Sequence, residues 1–483
     1  MLGLLLSALF LECPPLPAQS KASKSKKATV TMDDARVFQE AMVWFKKAEA
    51  MIGTPKENSD EQAELFLKAL QIKPDFLEAH FDLGLVYANQ KKMKEAAAQF
   101  EAVVKLDPKF DAGIYFLLAS AYQTLGDSES AVKALETGLQ RKPLDPKMLR
   151  ALAYIQFHSK KDADAIRTLN QVLEIDPGDI SSRMDLALLL QRGGALEDAV
   201  RQYEDVLRAD PANFAAHYNL GLIFLRQKKM TEAAAELEAA NQIQPGNAEL
   251  LERLGDVYSF QQQYAKAAPV YKAALEKAAE KGILFGKLGF SLVQLNQTDS
   301  AVAALETAVR LGPKNPVTLV LLGDLYADLK RNEEAIQSYR ESLAIDPKQK
   351  EIHFNLGTLY AKQERLDEAM ASLRAAIQLD PDYASAWINL ALVAEKLDLD
   401  QEAIRAHEKA IALGKGQPMN HFHLGVLYAK NNQPDPAIEA FARAIELEPE
   451  KYRAMLKEEL KKVHSILDSV RYKEKFVRLL ALP

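Results

Sequence analysis

A small residue recurs along this chain at an almost constant spacing, and that spacing constrains the fold more than any other feature. The residue is glycine or alanine, always after a leucine, and these marker positions are Gly84, Ala119, Ala153, Ala187, Gly221, Gly255, Gly289, Gly323, Gly357, Ala391 and Gly425. The first step is 35 residues and the next nine are 34. An alanine follows every marker by twelve positions, from Ala96 to Ala437. Such a period predicts an array of structural repeats in place of one globular core.

Each period predicts a pair of short amphipathic helices, for example at about 77–90 and 93–106. Gly84 and Ala96 are then expected where the two helices cross, because larger side chains would separate the backbones. A closing proline follows the marker by twenty-four residues at Pro108, Pro143, Pro177, Pro211, Pro245, Pro313, Pro347, Pro381 and Pro449, whereas Ala279 and Lys415 replace it in two periods. Proline has no N–H and disfavours helical geometry in the residue before it, so it ends the second helix.

These residues resemble the tetratricopeptide repeat family, and the resemblance extends over about residues 60–450. It implies an all-α fold: a right-handed α-solenoid of about twelve helix–turn–helix repeats, whose first helices line a concave groove. The chain departs from the family at the slot four residues before the marker, where the family prefers tryptophan. That slot holds Trp387 in one repeat, and elsewhere His80, His217, His353, His421, another aromatic or aliphatic residue, or Arg183.

The chain divides into five predicted segments. They are a signal peptide at 1–18, a disordered basic linker at 19–31, a degenerate first repeat at 32–76, eleven regular repeats at 77–450, and capping helices at 451–483. The apolar run before Ala18 predicts an exported protein, periplasmic or secreted, with no membrane span in the mature chain. The alternative is an unstructured start that is retained in a cytoplasmic protein. The junctions at 278–282 and 413–418 are either hinges or segments held by local packing.

Composition and motifs exclude several classes of function. A formal net charge of −6 argues against a general nucleic-acid binder, and the one cysteine, Cys13, excludes a disulfide framework or a cysteine-built metal site. The four histidines of the tryptophan slot are interpreted as packing residues, and His407 as isolated. No phosphate-binding loop, nucleophile elbow or zinc-protease motif occurs. The sequence therefore predicts no catalytic residue, no metal ligand and no cofactor.

Two rows of polar residues are the predicted partner-binding site. Asn219, Asn355 and Asn389 lie two residues before their markers, where related arrays use asparagine to pair with the backbone of an extended peptide. The second row, five residues after the marker, holds Arg192, Arg226, Lys362, Lys396 and Lys430. Between these basic residues, Glu249, Glu252, Asp256, Asp324 and Asp328 make the middle of the array acidic. The alternatives are that asparagine is merely tolerated in its slot and that the charges form a solvated face.

The predicted function is a non-catalytic scaffold that binds an extended peptide or a partner protein in the concave groove. One alternative is an assembly or regulatory subunit of a bacterial envelope or polysaccharide machine. Another is an enzyme of a type that the sequence does not reveal.

Overall fold

The computed structural model describes residues 32–279, 281–462 and 470–481, and every regular element in these ranges is a helix. The predicted all-α repeat solenoid is confirmed. The chain separates into two compact units, residues 1–211 and 212–483. The predicted signal peptide and basic linker lie outside the described residues. None of the described helices is both long and apolar enough to cross a membrane.

Unit 1 contains ten described helices in five antiparallel pairs. They are α1 (Met32–Glu49), α2 (Asp60–Ile72), α3 (Leu77–Asn89), α4 (Met93–Leu106), α5 (Gly113–Thr124), α6 (Ser128–Arg141), α7 (Pro146–His158), α8 (Asp162–Ile175), α9 (Ile180–Arg192) and α10 (Leu196–Ala209). The predicted pair at 77–90 and 93–106 is observed as α3 and α4. The degenerate segment supplies α1 and α2, whose Phe45 and Phe66 pack together with ring centroids 5.5 Å apart.

Unit 2 contains sixteen described α-helices and one short π-helical segment. They are α11 (Phe214–Arg226), α12 (Met230–Ile243), α13 (Ala248–Phe260), α14 (Tyr264–Leu275), α15 (Lys281–Gln294), α16 (Thr298–Leu311), α17 (Pro316–Asp328), α18 (Asn332–Ile345), α19 (Lys350–Lys362), α20 (Leu366–Leu379), α21 (Ala384–Lys396), α22 (Asp400–Ala410), α23 (Pro418–Lys430), α24 (Pro434–Leu447), α25 (Pro449–Lys462) and α26 (Val470–Ala481), with the π segment at Ile411–Lys415. Odd-numbered helices up to α23 are the first helices of repeats.

The crossing inside a repeat includes the two small residues that the sequence predicts, since a Cβ at Gly357 would lie 3.2 Å from the Ala369 carbonyl oxygen, but a large side chain contributes as well. Ala96 is fully buried as predicted. The space above Gly84, however, is filled by the ring of Phe100, sixteen residues further on, whose Cε1 would lie 2.5 Å from a Cβ at Gly84. Gly357 and Leu373 repeat this relationship in unit 2. The marker must therefore be small because a large second-helix side chain lies directly over it.

The turn between the two helices of a repeat has a fixed conformation. The residue seven positions after the marker has a positive φ in every regular repeat, for example Lys91 at 61°, Gly126 at 81° and Glu364 at 59°. This left-handed residue ends the first helix and reverses the chain. Because the turn conformation repeats, residues that flank it occupy equivalent positions along one edge of each unit.

The C-terminal helices cover the end of unit 2. Tyr452 of α25 and Phe476 of α26 are buried, each 1 % exposed, and Phe476 packs against Phe441 of the last regular repeat with ring centroids 6.2 Å apart. This arrangement covers an apolar face that a terminal repeat would otherwise expose. The predicted apolar positions Leu460, Val463 and Leu467 lie outside the residues whose side chains the structure describes.

Candidate functional site

The tryptophan slot has a structural function that explains its varied occupants. His80 Nε2 lies 2.9 Å from the carbonyl oxygen of Pro74, and His353 Nε2 lies 3.1 Å from that of Pro347. Trp387 and Arg183 donate to the equivalent proline carbonyls at 2.8 and 2.7 Å. In these four repeats, the N–H donor of the slot therefore binds the closing proline of the preceding period. These contacts support the interpretation of His80 and His353 as packing residues.

The three predicted asparagines have different surroundings, and all are partly buried. Asn389 donates through Nδ2 to the Thr358 hydroxyl at 3.0 Å, which joins neighbouring first helices. Asn355 interacts with the hydroxyl of Tyr339. Asn219 makes no side-chain hydrogen bond within the described part of the chain. The structure thus brings Asn355 and Asn389 into adjacent repeats of unit 2, and Asn219 lies four repeats before Asn355.

The predicted basic row forms contacts between successive repeats. Lys396 Nζ lies 2.7 Å from Glu364 Oε1, and Lys430 Nζ lies 3.1 Å from Asp398 Oδ1. Both carboxylates belong to the left-handed turn residue of the preceding repeat. Lys362 is exposed and has no ion pair among the described residues. Because the paired groups are half or more exposed, each pair contributes only about 0–1 kcal/mol to stability.

The two arginines of the same row lie in different units. Arg192 of unit 1 donates through Nε to Asp162 Oδ2 at 2.9 Å, so it also contacts the preceding repeat, although at the first residue of α8 and not at the turn residue. Arg226 of unit 2 is exposed and has no ion pair in the described residues. The structure therefore leaves Arg226 and Lys362 as the exposed cations of the predicted row that form no ion pair.

The predicted acidic middle of the array is partly neutralised. Lys287 takes the slot that holds asparagine in other repeats, and its Nζ lies 2.7 Å from both Glu252 Oε1 and Asp256 Oδ1. Burial raises the pKa of Asp324, although a hydrogen bond from Tyr339 opposes that shift. Glu252 and Asp256 outnumber Lys287, so this part of unit 2 keeps a negative excess at neutral pH.

An open cleft of about 680 Å³ extends over the first helices α13, α15 and α17, beside Lys287, and reaches the second helices α14 and α16. Phe260, Ile283 and Val317 line it and are 66 %, 49 % and 64 % exposed. Leu321, which also occupies the asparagine slot, contributes to the same lining. The charges of this region are visible in the sequence, but the cleft was not predicted from it. A signal was available, since Ile283 and Val317 occupy the same slot, six residues before the markers Gly289 and Gly323.

A cluster of ionisable side chains joins α21, α22 and α23. Glu395 Oε1 lies 2.6 Å from His407 Nε2, and Glu395 Oε2 lies 2.8 Å from His423 Nδ1. Burial opposes ionisation of Glu395, but the hydrogen bonds from both histidines outweigh it and lower the pKa of Glu395 to about 2. His407 is fully buried, and the two imidazole rings are nearly parallel with centroids 5.8 Å apart. His407 is therefore not isolated, contrary to the sequence interpretation.

Asn420 completes the cluster and defines the proton positions. Its Oδ1 accepts from the backbone N–H of Gln417 at 2.9 Å, which leaves Nδ2 to donate to His407 Nδ1 at 3.2 Å. His407 Nδ1 is then an acceptor, so Nε2 carries the proton and donates to Glu395. The network also fixes the start of α23 after the irregular segment 411–417.

Stacked helix pairs with a repeating turn and a repeating small-over-large crossing define an α-solenoid repeat protein. Profiles of the tetratricopeptide repeat match residues 77–110, 116–180, 184–248, 250–283, 323–364, 359–398 and 418–451. The matches extend over more than half of the sequence, so the chain belongs to the tetratricopeptide repeat family. This family typically provides non-catalytic scaffolds for protein interactions.

Solved structures of other proteins are similar to this chain over different shares of its length. The MamA protein is 27 % identical, with a TM-score of 0.34, over 36 % of this chain and 95 % of that one. A Naa15/Naa10 complex bound to HypK-THB is 16 % identical over 92 % of this chain and 79 % of that one, with a TM-score of 0.40. The C-terminal part of a repeat protein from Cytophaga hutchinsonii is 16 % identical over 49 % and 97 %, with a TM-score of 0.42. A search of curated proteins gives no match.

Proposed function

We propose that this chain is a non-catalytic scaffold that binds an extended segment of a partner protein on the first helices of unit 2. The observation that carries the proposal is the open apolar cleft formed by Phe260, Ile283 and Val317. Single exposed apolar side chains are common in soluble proteins, but several that line one open cleft mark an interaction site.

The chemistry of the cleft indicates what kind of segment fits it. Its apolar lining suits one large apolar side chain, which would serve as the anchor of the interaction. The carboxylates of Glu252 and Asp256 adjoin the lining, and Lys287 neutralises them only in part. A basic residue beside the apolar anchor would therefore complement the charge of this surface.

The experiment is capture of the partner followed by substitution of the cleft. Full-length protein is cross-linked in extracts of its source, and the partner and its cross-linked peptides are identified by mass spectrometry. Ile283→Asp and Val317→Asp place charge in the cleft, and Ile345→Asp is the matched control, because Ile345 is 44 % exposed outside the cleft. We expect binding at least about tenfold weaker for the cleft variants and unchanged for Ile345→Asp, in line with the loss of a central anchor.

Two outcomes would contradict the proposal. One is wild-type affinity in folded Ile283→Asp and Val317→Asp proteins. The other is a set of cross-links confined to second-helix surfaces. The identity of the captured partner also tests the narrower hypothesis of a subunit of a bacterial envelope or polysaccharide machine, since such a partner would be an enzyme or structural protein of that machine.

A further inference from the structure

The cluster of Glu395, His407 and His423 is independent of the cleft and supports a separate inference. We propose that these three side chains bind a divalent transition-metal ion, with Zn²⁺ as the ion that best matches the donor set. Their ligand atoms all lie within 4.8 Å of one another. Neither the family nor the proposed scaffold function accounts for such a grouping.

The donor set matches the requirements of zinc. Two imidazole nitrogens and one carboxylate are borderline and hard donors that Zn²⁺ accepts together, and three protein ligands leave a fourth position for water. Zinc ligands lie about 2.0–2.2 Å from the ion, so tetrahedral ligand atoms are separated by about 3.4 Å. The histidine-to-carboxylate distances of 2.6 and 2.8 Å need to open by less than about 1 Å. The side chains of His423 and Glu395 are 28 % and 23 % exposed, which gives an ion a route from solvent.

The three ligands occupy slots that hold other residue types elsewhere in the chain. His407 lies sixteen residues after its marker Ala391, where the other ten repeats have Phe, Leu or Tyr. Glu395 lies four residues after Ala391, a position with no carboxylate in the other repeats. His423 continues the row of Asn355 and Asn389 in the next repeat. A tyrosine at the first of these slots can bond a single group of its own repeat, as Tyr203 does with Gln191. His407 and His423 instead converge on one carboxylate from two repeats, which packing alone does not require.

Asn420 provides a specific test, because metal coordination changes whether its amide must donate to His407 Nδ1 or accept from it. In the hydrogen-bonded cluster, Asn420 Nδ2 donates to His407 Nδ1. When His407 Nε2 binds a metal ion, the imidazole stays neutral by carrying its proton on Nδ1, which then needs an acceptor. Asn420 meets this need by turning its amide, at the cost of the contact with the Gln417 N–H. An aspartate at this position offers acceptors to both Gln417 N–H and His407 Nδ1–H.

The first experiment measures Zn²⁺ binding to untagged full-length protein by titration against a chromogenic chelator, with Co²⁺ absorption as a probe of ligand geometry. We expect one tight site per chain in the wild type. His423→Gln and Glu395→Gln should weaken it at least about 100-fold, because each removes a ligand. His421→Gln is the matched control, since His421 lies on the same helix outside the cluster, and it should bind as the wild type does. Circular dichroism establishes that each variant is folded.

The second experiment compares Asn420→Asp with the wild type at about pH 8. We expect zinc affinity to rise about tenfold, the range in which outer hydrogen-bond partners change metal affinity. Absence of a saturable site in the wild type would overturn the proposal and leave the cluster as a hydrogen-bonded clamp. Equal zinc affinity in His423→Gln and the wild type would overturn it as well. Both results are independent of partner binding, so they do not bear on the cleft.

Discussion

The ring of Tyr339 lies directly over Gly323: a Cβ at Gly323 would come within 2.6 Å of Tyr339 Cε1. The Tyr339 hydroxyl donates to the carboxylate of Asp324, the next residue along the first helix. Gly255, Asp256 and Tyr271 repeat the arrangement, with a hydroxyl-to-carboxylate distance of 2.9 Å. In these repeats the helix crossing is therefore fixed by a steric contact and a hydrogen bond together. Such a crossing tolerates little change in side-chain volume.

The first prediction is that Ala335→Leu lowers the free energy of unfolding by about 1–3 kcal/mol, because extra methylenes overpack the crossing. Ala335 is fully buried, with 0 % of its surface accessible to solvent. Chemical denaturation measures the effect. Ala344→Leu is the control on the same helix, where the exposed side chain leaves stability almost unchanged. Equal midpoints for Ala335→Leu and the wild type would show that the crossing is not tightly packed.

The second prediction concerns the pH dependence of unit 1. Burial, reinforced by the charges of Glu49 and Glu78, raises the pKa of Asp82 from 3.8 to about 7. A raised carboxyl pKa means that the folded state binds the proton more tightly than the unfolded chain does. The contribution of Asp82 to stability is therefore full below about pH 4 and is lost as pH rises through 7.

Asp82→Asn removes this titration because the amide stays neutral. The variant should match the wild type near pH 4 and exceed it in free energy of unfolding by about 1–4 kcal/mol at pH 8. Denaturation curves across this range give the difference directly. Glu49→Gln should recover a smaller part of the same gain, because it removes one repelling charge. Parallel stability profiles for Asp82→Asn and the wild type would refute the buried-acid interpretation.

The repeat architecture could be predicted from the sequence, because each repeat is a local helix pair and the spacing of the small marker residues shows where each pair lies. The cluster of Glu395, His407 and His423 could not be found by motif, since its members come from three helices and lie 12 and 16 residues apart. Its signal was a histidine, His407, in a slot that otherwise holds phenylalanine, leucine or tyrosine. The pairing of Lys396 and Lys430 with turn carboxylates was missed because it depends on the stacking of neighbouring repeats, which periodicity alone does not specify.

The third prediction is that the protein is exported and that its mature form begins at Gln19. The apolar run from Leu2 to Leu11 and the small residue Ala18 fit the recognition and cleavage regions of a signal peptide. Mass spectrometry of natively expressed protein should find Gln19 as the first residue. Leu5→Arg should block processing, because a charge interrupts the apolar run, whereas Lys24→Arg should leave it intact. Retention of Met1 in the wild type would argue for the cytoplasmic alternative.

The last prediction concerns a partner segment that extends from the cleft along the repeats marked by Gly357, Ala391 and Gly425. Lys362→Ala, Lys396→Ala and Lys430→Ala together should weaken binding of the captured partner at low salt and much less at high salt, since screening already removes that attraction. Most of the loss should come from Lys362, because the other two lysines must first leave Glu364 and Asp398. Lys272→Ala is the control, an exposed lysine on a second helix.

The asparagines should respond differently from the lysines. Asn355→Ala with Asn389→Ala leaves peptide groups of the bound segment without partners, at about 1–3 kcal/mol each where they are buried, and salt does not remove that loss. Affinities of the wild type, the triple lysine variant and the double asparagine variant at low and high salt separate the two contributions. Both asparagines must give up an internal contact to bind a segment, Asn389 with Thr358 and Asn355 with Tyr339, so each single variant should cost less than the full value. If all folded variants bind the partner equally at both salt concentrations, the segment does not follow this row, and only the cleft contacts remain.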